Sequence, residues 1–183
     1  PQFAIGLGKT VLLDKSFKIT GFQKINEENI FTELHEFQYL DDDTIIQIGS
    51  KSHKYDNQNV DSGIISIINQ KNGTNFIWDS IDHVSPDSSN VPMKEWGMKS
   101  NDYFHMNAVR ILSDGNYLAS ARHTQTIMKI DKLSGEIIWH MGKGSLNNFK
   151  FINDPYNGFS HQHAPEELDN KNILIWDNGI GSI

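Results

Sequence analysis

Three of the eight histidines stand at one recurring place in the sequence, and that recurrence is the first sign of chemistry. His35, His105 and His163 precede Leu40, Leu112 and Leu168 by five to seven residues, and each leucine opens a polar turn followed by a short apolar run. Imidazole titrates near neutrality, so a histidine can attack as a nucleophile, carry a proton or bind a metal. Other polar groups lie close by: Asn107, two residues after His105; Arg122, in Ala119-Ser120-Ala121-Arg122-His123; and His161, in Ser160-His161-Gln162-His163. An arginine offers a planar fork of donors, and an asparagine two positions along a strand from His105 faces the same way. His161 and His163 could also ligate a transition metal, but no Asp or Glu stands at matching places to complete the set. The structural alternatives are a satisfied core imidazole in each repeat, a surface ion pair for Arg122 and a turn for Asn107. His123 and His140 read as exposed or structural, and His53 as a loop residue without a nameable partner.

The elements that must position these groups are short strands. Thr44 to Ile48, Gly63 to Ile68 and Asn172 to Trp176 are rich in β-branched or aromatic residues and bounded by turn formers. Asp56-Asn57-Gln58-Asn59, Ser85 to Asn90 and Gly142-Lys143-Gly144-Ser145 read as loops, and Asn72-Gly73, Asp114-Gly115 and Ser134-Gly135 as hairpin turns. The expectation is an all-β chain.

The strands recur in order. Leu40-Asp41-Asp42-Asp43-Thr44-Ile45-Ile46 matches Leu112-Ser113-Asp114-Gly115-Asn116-Tyr117-Leu118, and Leu168-Asp169-Asn170-Lys171-Asn172-Ile173-Leu174 matches both. A second element, Ile67 to Trp78, parallels Lys129 to Trp139, its tryptophans 61 positions apart. Repeats of several short strands each point to a β-propeller, in which the innermost strand of every blade lines a central channel. The expected division is the end of a preceding blade at 1–34, a blade at 35–104, another at 105–162 and the start of a further one at 163–183. On that reading the chain covers only part of a ring, and His35, His105 and His163 face one channel.

Composition excludes several classes. With 183 residues and a formal charge of −7, the chain lacks the basic footprint of a nucleic-acid binder. No run approaches the ~18 apolar residues of a bilayer span. Cysteine is absent, so disulfides and thiolate metal sites are excluded. No charged-then-apolar leader follows Pro1, and the native start is expected to lie elsewhere.

A family resemblance follows from the motifs. His35-Glu36-Phe37-Gln38, Asp79 to Val84, Asp102-Tyr103-Phe104-His105-Met106-Asn107, Asp114 to Thr124, Ser134 to Trp139, Phe159-Ser160-His161-Gln162-His163 and Trp176-Asp177-Asn178-Gly179 together resemble the arylsulfotransferase family, especially its eukaryotic branch. The resemblance runs from about Phe31 onward. It implies a six-bladed propeller that moves a sulfuryl group from an aryl sulfate to a phenolic acceptor, independently of the usual phosphosulfate donor. The implied route is ping-pong through a sulfated histidine. On these motifs His163 is the candidate nucleophile. His105 and Asn107 form a His-x-Asn element, Arg122 belongs to a Ser-x-Arg element, and His35 is the first channel histidine. Ala164 and Pro165 follow Gln-His where the family often has Asp, and Met141-Gly142-Lys143-Gly144 reduces its usual glycine pair.

The chemistry fits these residue types. Sulfuryl transfer asks for positioning and for stabilisation of charge on non-bridging oxygens. Arg122 would hold those oxygens, Asn107 would donate to them, and either His105 or His35 would protonate the departing phenolate. No metal or organic cofactor is required, and the implied partners are small molecules, an aryl sulfate donor and a phenol. A non-enzymatic propeller scaffold would share the fold but leave the polar groups unexplained. A quinone-dependent dehydrogenase-like propeller rests only on the packing repeat Asp131 to Trp139. Asn72-Gly73-Thr74 is a glycosylation sequon in an expected turn, and the resemblance favours export.

Overall fold

The computed structural model describes residues 8–41, 43–73, 75–91 and 101–179. Asp42 of the first leucine turn, Thr74 of the sequon and the ends at 1–7 and 180–183 lie outside them. Thirteen strands form among the described residues, with two short 3₁₀ turns at Ser80–Asp82 and Pro86–Ser88. Strands β1 (Thr10–Leu13) and β2 (Ile19–Gln23) form a hairpin. Strands β3 (Ile30–Tyr39), β4 (Thr44–Tyr55), β5 (Gln58–Asn69) and β6 (Asn75–Asp79) form an antiparallel meander, with β7 (Asn101–Asp102) paired parallel to β5. A second meander follows in β8 (Met106–Ile111), β9 (Tyr117–Ala121), β10 (Thr126–Ile130) and β11 (Ile137–Gly142), and β12 (His163–Glu167) pairs with β13 (Ile173–Trp176). The chain is all-β, and its curled four-stranded meanders are blades of a β-propeller. No helix among the described residues is long and apolar enough to cross a membrane.

The sequence repeats share one turn hydrogen bond. Between the first and second strands of each sheet the leucine N–H donates to the carbonyl four residues on: Leu40 to Thr44 at 2.9 Å, Leu112 to Asn116 at 2.8 Å, Leu168 to Asn172 at 2.8 Å. The second element is as regular, since Gly73 donates to Asn69 and Gly135 to Asp131, both at 2.9 Å. Asp131 ties this turn by accepting from the N–H groups of Leu133 and Ser134. The tryptophan of one repeat docks on the turn of the next, the Trp78 indole N–H donating to the Gly135 carbonyl at 2.9 Å.

The loop expected at 56–59 is tighter than its composition suggests. Asp56 and Asn57 alone form the turn, at φ 44° and 61°, and Gln58 already belongs to β5. Two successive left-handed residues match the twist of a two-residue hairpin, which lets β4 and β5 run twelve residues each. His53 consequently lies in β4 rather than a loop. Its Nε2 is 3.1 Å from both Ser62 Oγ and Asp79 Oδ2.

The core lies between successive sheets. Ile46, Ile48, Val60 and Ile65 of the first meander pack with Val109, Ala119, Met128 and Ile130 of the second, with Trp78, Tyr103 and Phe104 between them. Leu112, Leu118 and Ile127 pack with Phe159, Ile173 and Ile175 toward β12 and β13. Each isoleucine so buried contributes about 1.5–3 kcal/mol. At Gly63 a Cβ would come within 2.6 Å of the Phe104 ring, so the bare backbone there lets Phe104 seat against β5. That seat fixes the chain one residue before His105. Across the sheet boundary the Glu36 carboxylate pairs with the Arg110 guanidinium, and Gln38 Nε2 donates to the Val109 carbonyl at 3.2 Å.

Candidate active site

Each of the three repeat histidines sits on, or one residue before, the first strand of a sheet. Strand β8 packs against β3 on one side and β12 on the other. Each first strand loses register at or just beside its histidine: β3 against β4 between Thr32 and Phe37, β8 against β9 between Met106 and Ala108, β12 against β13 between His163 and Glu166. A bulge breaks strict alternation and re-aims side chains. The rings of His35 and His105 meet edge to face at 5.4 Å, and those of His35 and His163 lie 6.0 Å apart. His105, His161 and Ala164 hold φ values of 52°, 54° and 47°, left-handed conformations that cost non-glycine residues about 1–3 kcal/mol each.

Two of the three imidazoles are backed by carboxylates. Glu33 Oε2 accepts from the His35 ring Nδ1 at 2.6 Å and from the His35 backbone N–H at 2.7 Å. Asp102 accepts from the His105 backbone N–H at 2.8 Å and from its ring Nδ1. The hydrogen bond from Glu33 raises the His35 pKa against the opposing effect of burial, and the charges of Glu33 and Asp102 add to it. Burial alone would push the Asp102 carboxyl up, but the hydrogen bond and charge of His105 outweigh it and the net shift is down.

His163 is different. Its Nδ1 lies 3.1 Å from the His161 carbonyl and 3.3 Å from Asn178 Nδ2. A carbonyl can only accept, so the shorter contact places the proton on Nδ1 and leaves the lone pair on Nε2. Burial lowers the His163 pKa, the His161 carbonyl opposes that, and the charges of His35 and Arg122 lower it further. The ring is therefore neutral at neutral pH, with a nucleophilic nitrogen available.

Arg122 is half-buried and fixed through its neighbour. The His123 ring accepts from Arg122 Nη1 at Nε2, 2.8 Å away, and donates from Nδ1 to the Asp102 carbonyl at 2.6 Å. Burial pushes His123 down to about 4, so it stays neutral and keeps that tautomer. The Arg122 backbone N–H donates to the His105 carbonyl at 3.0 Å, which ties the end of β9 to the start of β8.

Asn107 is buried, but not as an extension of the face of His105. His105 precedes β8 in left-handed backbone, so strand alternation does not relate the two. Asn107 Nδ2 donates to the Gln162 carbonyl at 2.8 Å, holding the chain just before His163. Gln162 completes that hold: its buried amide donates to Ser120 Oγ at 3.1 Å and to the carbonyls of Ala121 and Thr126 at 3.0 and 2.8 Å.

All five predicted site residues thus come together, with Asn107 on the supporting side. Sequence reasoning missed Glu33, Asp102, His123 and Gln162 as the groups that orient them. The local signals were Glu-x-His at 33–35, Asp-x-x-His at 102–105 and the adjacency of Arg122 and His123. Among the described residues, Asp102, His105 and His123 bring potential metal-ligand atoms within 4.8 Å of one another. The Asp102 carboxylate, His105 Nδ1 and both His123 ring nitrogens are already engaged in the hydrogen bonds above, and the Arg122 guanidinium beside them opposes a cation.

No curated protein and no solved structure matches the chain. The sequence profile of the arylsulfotransferase (ASST) family matches residues 15–183, a span containing both meanders and every group of this site. The chain belongs to the arylsulfotransferase family.

Proposed function

We propose that this site transfers a sulfuryl group from an aryl sulfate to a phenol in two displacements through a sulfated His163. The observation that carries this reading is the meeting of three imidazoles from three consecutive sheets; among the described residues His163 has no carboxylate partner, and burial lowers its pKa. In the first displacement the His163 Nε2 lone pair forms an N–S bond as the aryl O–S bond breaks, and an imidazolium of the site gives its proton to the phenolate. In the second, the acceptor phenol returns a proton to that imidazole, its oxygen bonds sulfur and the N–S bond breaks. Covalent relay splits one difficult transfer into two easier ones. Arg122 supplies paired donors to the sulfuryl oxygens where charge develops, in a half-buried setting that strengthens them. Asp102 fixes the His105 ring beside them through its backbone N–H and Nδ1.

The ring is proposed to have six blades, divided here at 1–34, 35–104, 105–162 and 163–183, and the protein to work outside the cytoplasm. Family membership and the repeated leucine turns support the first proposal. The exposed position of Asn72 supports the second.

The test follows phenolate release from 4-nitrophenyl sulfate with a phenol as acceptor. Acceptor-dependent release that disappears in His163→Ala is the expected result. Undiminished release in that variant would remove His163 from the mechanism, and no release by the wild type would favour a binding propeller instead.

A further inference from the structure

The two carboxylate-backed histidines differ in how their carboxylates are held. Glu33 lies within the bulge of β3, where residues 33–36 fall out of register with β4, and its side chain is only 8% exposed. One oxygen, Oε2, binds both the backbone N–H and the ring Nδ1 of His35. The other, Oε1, is buried and has no hydrogen-bond partner among the described residues. Glu33 lines a cavity of about 20 Å³ with Ser62, Asp102, His105 and the strand segment Gly49 and Ser50. That is room for one water, the hydrogen-bond partner this buried oxygen otherwise lacks. Asp102, by contrast, gives its two oxygens to the backbone and the ring of His105.

We propose that Glu33 is a positioning residue that keeps His35 as the imidazolium which protonates the departing phenolate, separating the proton donor from the nucleophile His163. The inference rests on the sulfuryl-transfer reading above and assigns a role that reading leaves open. Because Nδ1–H is committed to Glu33, the proton available for transfer is on Nε2. As the aryl O–S bond breaks, that proton passes to the phenolate oxygen and His35 becomes neutral, still donating from Nδ1 to Glu33. As the acceptor's oxygen bonds sulfur and the N–S bond to His163 breaks, the acceptor's proton returns to His35 Nε2. The charged and titratable groups facing His35 are Glu33 on its own strand, Asp102 and His105 before β8, Arg122 at the end of β9 and His163 on β12. Glu33 and Asp102 favour the protonated ring, Arg122 and burial oppose it, and the net shift is upward.

The experiment compares Glu33→Gln with wild type on two donors, 4-nitrophenyl sulfate and unsubstituted phenyl sulfate. The nitrophenolate leaves readily without a proton, whereas the phenolate needs one. The expected result for Glu33→Gln is a loss of about 100-fold or more in kcat/KM for phenyl sulfate but under about threefold in kcat/KM for the nitrophenyl donor, a ratio that reports only the first displacement, since general-acid help of about 10²–10⁴-fold is withdrawn only where it is used. The alkaline limb of the wild-type kcat/KM profile for phenyl sulfate should move to lower pH in Glu33→Gln, and Glu33→Asp should restore part of that ratio. An equal loss on both donors, or no loss on either, overturns the inference. A thermal unfolding scan of each variant separates an equal loss caused by misfolding, and Glu33→Asp then decides on the same two-donor comparison. If wild type forms sulfo-His163 while the donors respond equally to Glu33→Gln, the inference fails and the sulfuryl-transfer reading stands. If wild type takes up no sulfuryl group, both fail.

Discussion

The middle strands and the first strands of the sheets are built on opposite principles. Strands β4 and β5 pair through twelve residues without a slip, and β9 and β10 through five. Their side chains include Ile45, Ile46, Ile48, Ile64, Ile65, Leu118, Ile127 and Met128, all with no solvent exposure. The first strands β3, β8 and β12 each slip beside a histidine, and their neighbourhood collects left-handed residues, His105, His161 and Ala164 among them. Regular pairing and apolar burial provide the stability, and the irregular inner edge spends part of it on presenting imidazoles to one another.

The sharpest way to break this comparison is a pair of truncations. Arg122→Ala should cost about 10²–10³-fold in turnover, the usual loss for one transition-state donor, with little change in melting temperature. Ile65→Ala should do the reverse, removing about 3 kcal/mol of stability through the cavity it leaves while activity well below the melting point is unchanged. Equal losses of activity in both would mean that the two regions are not separable. Steady-state kinetics with thermal unfolding on each variant decides it.

Acid should act through the inner edge as well. The folded pKa of His123 is about 4, below its ordinary value of 6.5. Between those values the unfolded chain binds more protons than the folded one, so stability is full above about pH 6.5 and falls as pH drops toward 4, by about 3 kcal/mol from this residue alone. His140, His161 and His163 are lowered too and act in the same direction. His35 opposes them, since its raised pKa gives stability that is present in acid and lost as pH rises through the folded value. Denaturant unfolding across pH 4 to 7 should show the loss, and His123→Gln should flatten it. A flat wild-type profile would contradict the neutral, buried His123.

The smallest effect is expected at Ala164. Its φ of 47° directly follows the candidate nucleophile, so Ala164→Gly should relieve strain and change stability by less than about 1 kcal/mol, because glycine's extra chain entropy offsets the gain. A lower kcat in that variant would show that the bulge needs its strain to aim His163. An unchanged kcat would show that Gln162 and Asn107 suffice to hold it.

What was legible in the sequence follows the same division. The leucine turns and the Asn-Gly and Ser-Gly turns announce themselves by composition, because their hydrogen bonds are local and need particular residues. The alignment they provide put His35, His105 and His163 at one place, and Arg122 came with a motif. The slips in β3, β8 and β12 were not legible, since a register change is decided by what packs across the sheet boundary, as Phe104 does on Gly63. Without the slips, Asn107 was placed on the face of His105, and Glu33 and Asp102 looked like ordinary acidic residues. His53 was misplaced for a related reason: the polar run from Asp56 to Asn59 hides a two-residue turn within a long hairpin.

The central claim is that His163 Nε2 carries the sulfuryl group between donor and acceptor. Its most direct measurement is the mass of the protein after incubation with 4-nitrophenyl sulfate in the absence of acceptor, followed by peptide mapping. The account predicts a gain of one sulfuryl group, located on His163, released by added phenol and absent from His163→Ala. A sulfuryl group on another residue, or acceptor-dependent transfer with no modified protein under any donor concentration, would contradict it.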